Sequence, residues 1–109
     1  MKLMRMAEAV TDWSRLPATA APVASGAAQV RARQLGDIQL RLVDYGTGYL
    51  ADHWCSKGHV LLCVAGELET ELADGRRFTL RPGMSYLVGD GAEPHRSSTA
   101  AGATLFIVD

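Results

Sequence analysis

The sequence predicts an all-β fold, a sandwich or barrel of short strands. Two observations lead there. Apolar residues recur at every second position in several short runs, and Gly- or Pro-bearing turns separate those runs at regular spacing.

Composition sets the bounds. The 109 residues allow one domain and one modest core. Nearly half are apolar, and acidic and basic residues almost cancel to a formal charge of -1. No nucleic-acid partner is expected, because no basic face or tail is available. No membrane role is expected either, since no apolar run approaches ~20 residues. Lys2 and Arg5 are followed by Glu8 and not by a signal-peptide core, so a cytoplasmic protein is expected. Cys55 and Cys63 are then expected as thiols.

The elements follow in order. Residues 1–13 read as a short amphipathic helix or a flexible lead. Leu16 to Ala28 carries Pro17, Pro22 and Gly26 among alanines and reads as an irregular arm. Residues 1–28 are thus an N-terminal arm, pinned by Trp13 and Leu16 to the domain or to a partner subunit, and 29–109 are the β domain. Val30 to Gln34 and Ile38 to Asp44 are strands, the second half-buried through Ile38, Leu40 and Leu42. Gly46-Thr47-Gly48 turns into a strand from Tyr49 to Cys55. His59 to Ala65 is nearly all apolar and should be a central strand buried on both faces.

Glu67 to Leu72 alternates, with its glutamates toward water. A two-residue loop at Asp74-Gly75 would put Phe78 and Leu80 on the glutamate face. A three-residue loop, Ala73-Asp74-Gly75 with Gly75 at positive φ, pairs Thr70 with Phe78, Leu68 with Leu80 and Glu71 with Arg77, so that register is expected. Arg81-Pro82-Gly83-Met84 fits a type II turn. Ser85 to Val88 and Thr104 to Val108 are strands, and Gly89 to Pro94 is a solvated loop leading to His95.

The chemistry concentrates in two places. His53, Cys55 and His59 lie close together, and Pro94-His95 supplies the remaining histidine. With Ser56-Lys57-Gly58 as a hairpin loop, Cys55 would face His59 and His53 would face Leu61. All three side chains would then share one side, and a strand carrying His95 could close the set. Imidazoles and a thiolate meeting inside a small barrel indicate a metal site. A catalytic thiol at Cys55, paired with His53 or His59, is the alternative, and it needs an oxyanion hole that no residue here identifies. Cys63 falls opposite Ala51, too far along to bridge to Cys55.

Neighbouring polar residues have quieter readings. Asp52 is expected at the surface rather than orienting a histidine. Tyr45, Tyr49 and Tyr86 are expected in the core with bonded hydroxyls, or else at a barrel mouth. Arg31, Arg33 and Arg41 are expected as exposed strand charges; an inward one would hold the carboxylate of an acidic ligand.

His53-Trp54-Cys55, His59 and Gly66, followed by Pro82-Gly83 and Pro94-His95, resemble the two sequence motifs of the cupin superfamily. The run ADHWCSKGHVLLCVAGELETEL, with the ending GDGAEPHRSS, is similar to a small bacterial group of DHCW-motif cupin-fold proteins. The resemblance covers about residues 29–109 and implies a double-stranded β-helix, or jelly-roll, barrel. It implies a metal held by His53, Cys55, His59 and His95. Cys55 stands where the family has a second histidine and His59 where it has a carboxylate, so no carboxylate remains in the set. That donor set favours zinc, iron(II), nickel or copper. Four donors would close a structural site; three histidines with Cys55 standing back would leave a position for water, oxygen or substrate.

The resemblance further implies a homodimer and a small-molecule ligand in the barrel. Two functions then compete, with a storage or purely structural role as a poorer third. One is a metal-dependent enzyme of oxygenase, isomerase or lyase type. The other is a non-catalytic module that binds or senses a metal or small molecule.

Overall fold

The computed structural model describes residues 2–109. After a single 3-10 turn at Trp13–Arg15 come β1 (Thr19–Ala20), β2 (Ala28–Leu35), β3 (Ile38–Tyr45), β4 (Tyr49–Leu50) and β5 (His59–Gly66). Then follow β6 (Leu68–Leu72), β7 (Arg77–Leu80), β8 (Ser85–Val88), β9 (His95–Thr99) and β10 (Ala103–Val108). The expected all-β architecture is present, and every ladder is antiparallel. The named strands form two sheets rather than one closed ring, in the orders β1-β2-β3-β10-β5-β8 and β4-β9-β6-β7.

The core lies between the sheets. Val43, Leu61, Cys63, Leu105 and Ile107 come from the larger sheet and Leu68 and Leu80 from the smaller. Because side chains alternate along a strand, each strand sends every second residue inward. One inward row joins Val43, Leu105 and Cys63, and the next joins Arg41, Ile107 and Leu61.

The hairpin β6–β7 adopts the expected register, Leu68 with Leu80, Thr70 with Phe78 and Glu71 with Arg77. Gly75 sits at φ +97° in the three-residue loop, where the Leu72 N–H donates to the Arg76 carbonyl at 2.8 Å. The slip-by-one alternative would have put Phe78 and Leu80 on the glutamate face, taking Leu80 out of the core. The type II turn is also present: the Met84 N–H donates to the Arg81 carbonyl at 2.9 Å, with Gly83 at φ +89°.

Three strand expectations are corrected. The inward face of β3 carries Arg41, Val43 and Tyr45, not Ile38, Leu40 and Leu42. The apolar trio lies on the outer face, which the N-terminal arm crosses. There Trp13 meets Phe106 edge-on at 6.0 Å, and Arg31 donates to the Leu16 carbonyl at 3.1 Å. Second, β5 is buried on one face only. Leu61 and Cys63 are inside, whereas Val60, Leu62 and Val64 are 38%, 39% and 50% exposed. Among the described residues no helical layer covers that side of the sheet, so a long apolar run does not mean two buried faces here. Third, the strand expected from Tyr49 to Cys55 stops at Leu50.

This asymmetry predicts a contrast. Leu105, wholly buried, should cost about 3 kcal/mol when cut to alanine, whereas Val64→Ala should cost under about 1 kcal/mol. Urea unfolding of the two variants measures both, and equal losses would contradict the one-sided burial of β5.

Candidate metal centre

Beyond β4 the chain runs irregularly until β5 starts at His59. The expected hairpin at Ser56-Lys57-Gly58 does not form. Cys55 instead pairs with His95 in an isolated antiparallel bridge: each N–H donates to the other's carbonyl, at 2.8 and 2.9 Å. Residues 56–58 cross to the loop before β9 rather than turning back along β5. The Gly58 N–H donates to the Asp90 carboxylate at 2.6 Å, and the Gly91 N–H to the Ser56 carbonyl at 3.0 Å. A Cβ on Gly58 would lie 2.7 Å from the Asp90 backbone nitrogen, so this crossing needs glycine. Asp90, expected as a solvated loop residue, is thus a bonded strut.

Cys55 therefore faces His95, not His59, yet the sulfur still reaches the imidazoles. His59 opens β5 on its inward side and His95 opens β9. One donor atom from each of Cys55, His59 and His95 lies within 4.8 Å of the others. The two Nε2 atoms are 2.8 Å apart, with the rings inclined at 74°. The Lys57 N–H donates to Sγ of Cys55 at 3.4 Å.

His53 stands apart from this trio. Its Nδ1 lies 2.7 Å from the Asp52 carboxylate, and its side chain is 72% exposed. It still lines the cavity onto which the trio opens. Asp52 is exposed, as expected, and also holds this histidine.

The cavity has a volume of about 160 Å³. Apolar side chains, Leu61, Leu68, Leu105 and Ile107, form part of its wall, and Arg41, Tyr45 and Tyr49 supply polar groups. Tyr45 and Tyr49 stack at 4.0 Å. Burial, above all, pushes both phenols well above their usual range, so both stay protonated near neutral pH. Tyr86 approaches His95 edge-on at 6.1 Å.

Of the residues beside the trio, Asp109 has no reading in the sequence, and for Arg41 the inward alternative holds. Arg41, taken as an exposed strand charge, points inward and bonds the carboxylate of Asp109 at 2.8 Å. The Asp109 side chain is 3% exposed, and its Oδ2 lies 3.7 Å from Nδ1 of His59. Continuing the alternation Leu105, Ile107 by one more step would have placed Asp109 inward.

The donors fit a metal ion. The Nδ1 atoms of His59 and His95 are buried without partners, and the two Nε2 lone pairs cannot face each other unless one is protonated. A cation between the Nε2 atoms and the sulfur answers that conflict. Tetrahedral bonds of about 2.1 Å would set the nitrogens about 3.4 Å apart, a small opening of the present gap.

No family model matches the chain, and no curated protein matches it. Solved structures do. An ectoine synthase from P. lautus superposes with a TM-score of 0.74 at 20% identity, covering 93% of this chain and 76% of that one. A sugar phosphate isomerase of the cupin superfamily from Silicibacter pomeroyi gives 0.71 at 15% identity, covering 92% and 74%. A cupin-2 domain protein from Shewanella frigidimarina gives 0.61 at 19% identity, covering 73% and 78%. The architecture is thus shared with these two-sheet antiparallel domains. The chain has the fold of a small cupin.

Burial lowers the proton affinity of both imidazoles. For His59, desolvation dominates, Asp109 opposes it and Arg41 adds to it. For His95, desolvation is joined by the charges of His59 and His53. The folded state then holds both rings neutral at a pH where the unfolded chain, with ordinary values near about 6.5, takes up protons. Stability of the metal-free protein should be full above about pH 6.5 and fall as pH drops below it. Urea midpoints measured from about pH 8 to 5 test this, and a midpoint that rises on acidification would contradict it.

Proposed function

We propose that this chain is a metal-binding cupin whose ion is held by Sγ of Cys55 and Nε2 of His59 and His95, with its open side toward a small-molecule cavity. The observation that carries this is the convergence of the three donors within 4.8 Å at the cavity wall. A thiolate with two imidazoles is a borderline-soft set, suited to zinc, iron(II), nickel or copper rather than magnesium. Three protein donors leave a position for water or substrate, the arrangement of catalytic rather than structural ions. When bound, the metal supplies Lewis acidity at that open position.

A cavity of about 160 Å³ is close in size to one that accommodates benzene, so the ligand has about six to ten heavy atoms. Tyr45 and Tyr49 can donate hydrogen bonds to its oxygen atoms. His53 completes the assignment from the cavity rim. Its Nδ1 rests on Asp52 and its Nε2 is the ring nitrogen left to approach the ion or the ligand. Two of the solved neighbours are named for enzymatic activities, a synthase and an isomerase, which is in keeping with chemistry at such a site. Unpaired thiols at Cys55 and Cys63 are in keeping with a reducing compartment such as the cytoplasm.

Elemental analysis of protein purified without an affinity tag should find close to one equivalent of a transition metal. Cys55→Ser and His95→Ala should each weaken metal binding by roughly 100-fold or more, and His53→Ala by about threefold at most. Less than about a tenth of an equivalent, persisting after reconstitution, overturns the reading.

A homodimer is proposed as well. Val60, Leu62 and Leu87 present an uncovered apolar patch on β5 and β8, where a second copy could dock. Light scattering should give twice the chain mass, and Leu62→Glu should reduce it to that of one chain. A wild type that stays monomeric at micromolar concentration rules the dimer out.

A further inference from the structure

The metal assignment gives Asp109 no task of its own. We propose, resting on that assignment, that Asp109 is a positioning residue. Its carboxylate, anchored by Arg41, fixes the His59 ring with the proton on Nδ1 and the lone pair of Nε2 turned to the metal.

The backbone sets the arrangement. Val108 pairs with Leu40 on one side and Val60 on the other, so the next residue, Asp109, falls between Gln39 and His59. Reciprocal hydrogen bonds with Gln39, at 3.0 and 2.6 Å, hold its main chain in the ladder. The side chain points inward after Leu105 and Ile107, and its carboxylate is nearly sealed from water. A buried carboxylate is costly unless paired. Arg41 supplies that pairing at 2.8 Å, but Oδ1 of Asp109 and Nδ1 of His59 both remain without partners. Nδ1 of His59 lies 3.7 Å from Oδ2 of Asp109, the oxygen that Arg41 also holds. A shift of about 0.8 Å brings them to hydrogen-bond distance.

Structural need alone does not explain the pair. An apolar residue at each position would fill the same space without the desolvation cost of two charges. What a carboxylate adds here is an acceptor facing Nδ1. With Nδ1–H directed to Asp109, Nε2 of His59 must be the lone-pair nitrogen. Because Nε2 of His95 is 2.8 Å away, that ring must then carry its proton on Nε2 in the metal-free protein. The two histidines thus hold opposite tautomers, and only His95 has to move or release a proton when the ion enters.

The test uses protein labelled with 15N at histidine, stripped of metal, and read by long-range proton–nitrogen correlation. Wild type should show His59 protonated at Nδ1 and His95 at Nε2. Arg41→Met combined with Asp109→Leu removes both charges together and so avoids leaving one buried alone. In that variant the His59 signal should lose its fixed tautomer, and cobalt(II) affinity should fall by roughly 10- to 100-fold. Asp109→Asn serves if the double variant does not fold; its weaker acceptor should lower cobalt affinity by about three- to tenfold. Cobalt bound by the variants as tightly as by wild type, with the His59 tautomer unchanged, overturns the proposal alone. Wild type that takes up no cobalt overturns the metal reading, and this proposal with it.

Discussion

Two reciprocal backbone hydrogen bonds, between Cys55 and His95, set the geometry of the site. Residues 51–58 belong to no strand, and without that bridge the sulfur would ride on an irregular segment. The bridge ties it to the first residue of β9, whose own imidazole is buried. Strand β9 is in turn fixed by its ladder with β6, where Leu72 faces His95. The sulfur and one imidazole therefore move as a unit. The other imidazole arrives from the opposite sheet, so the centre spans the sandwich and its donors meet only when the two sheets are packed together.

Much of the fold was legible in the sequence. The hairpin β6–β7 could be read residue by residue, because a one-residue slip inverts every side chain and only one register buries Leu68, Leu72 and Leu80. The mistakes have a common physical source. Reading apolar as inward fails on β3, where the inner face carries Arg41 and the outer leucines lie under the arm. It fails again on β5, whose outer valines and Leu62 are left bare. Local pattern encodes the period of a strand but not which other parts of the chain will cover each face.

The site shows the same division. Cys55, His59 and His95 were identifiable by type and spacing, although the hairpin expected to join Cys55 to His59 is absent. The bridge that replaces it is a contact between segments forty residues apart, which spacing does not encode. Asp109 was missed, and Arg41 is first read as exposed, because neither belongs to a recognisable motif. Each is a charged residue placed inward by strand alternation, and each is tolerated there because the other is present.

The two thiols occupy different environments. Cys63 is sealed in the core, 1% exposed, and burial drives its thiol upward from the ordinary range. Cys55 is reachable from the cavity. An oxidant entering the cavity would therefore find one sulfur and no second thiol at hand to trap a sulfenic acid as a disulfide. Oxidation here would alter one donor of the candidate site while leaving the hydrophobic interior intact, producing a folded molecule with a lesion confined to its cavity.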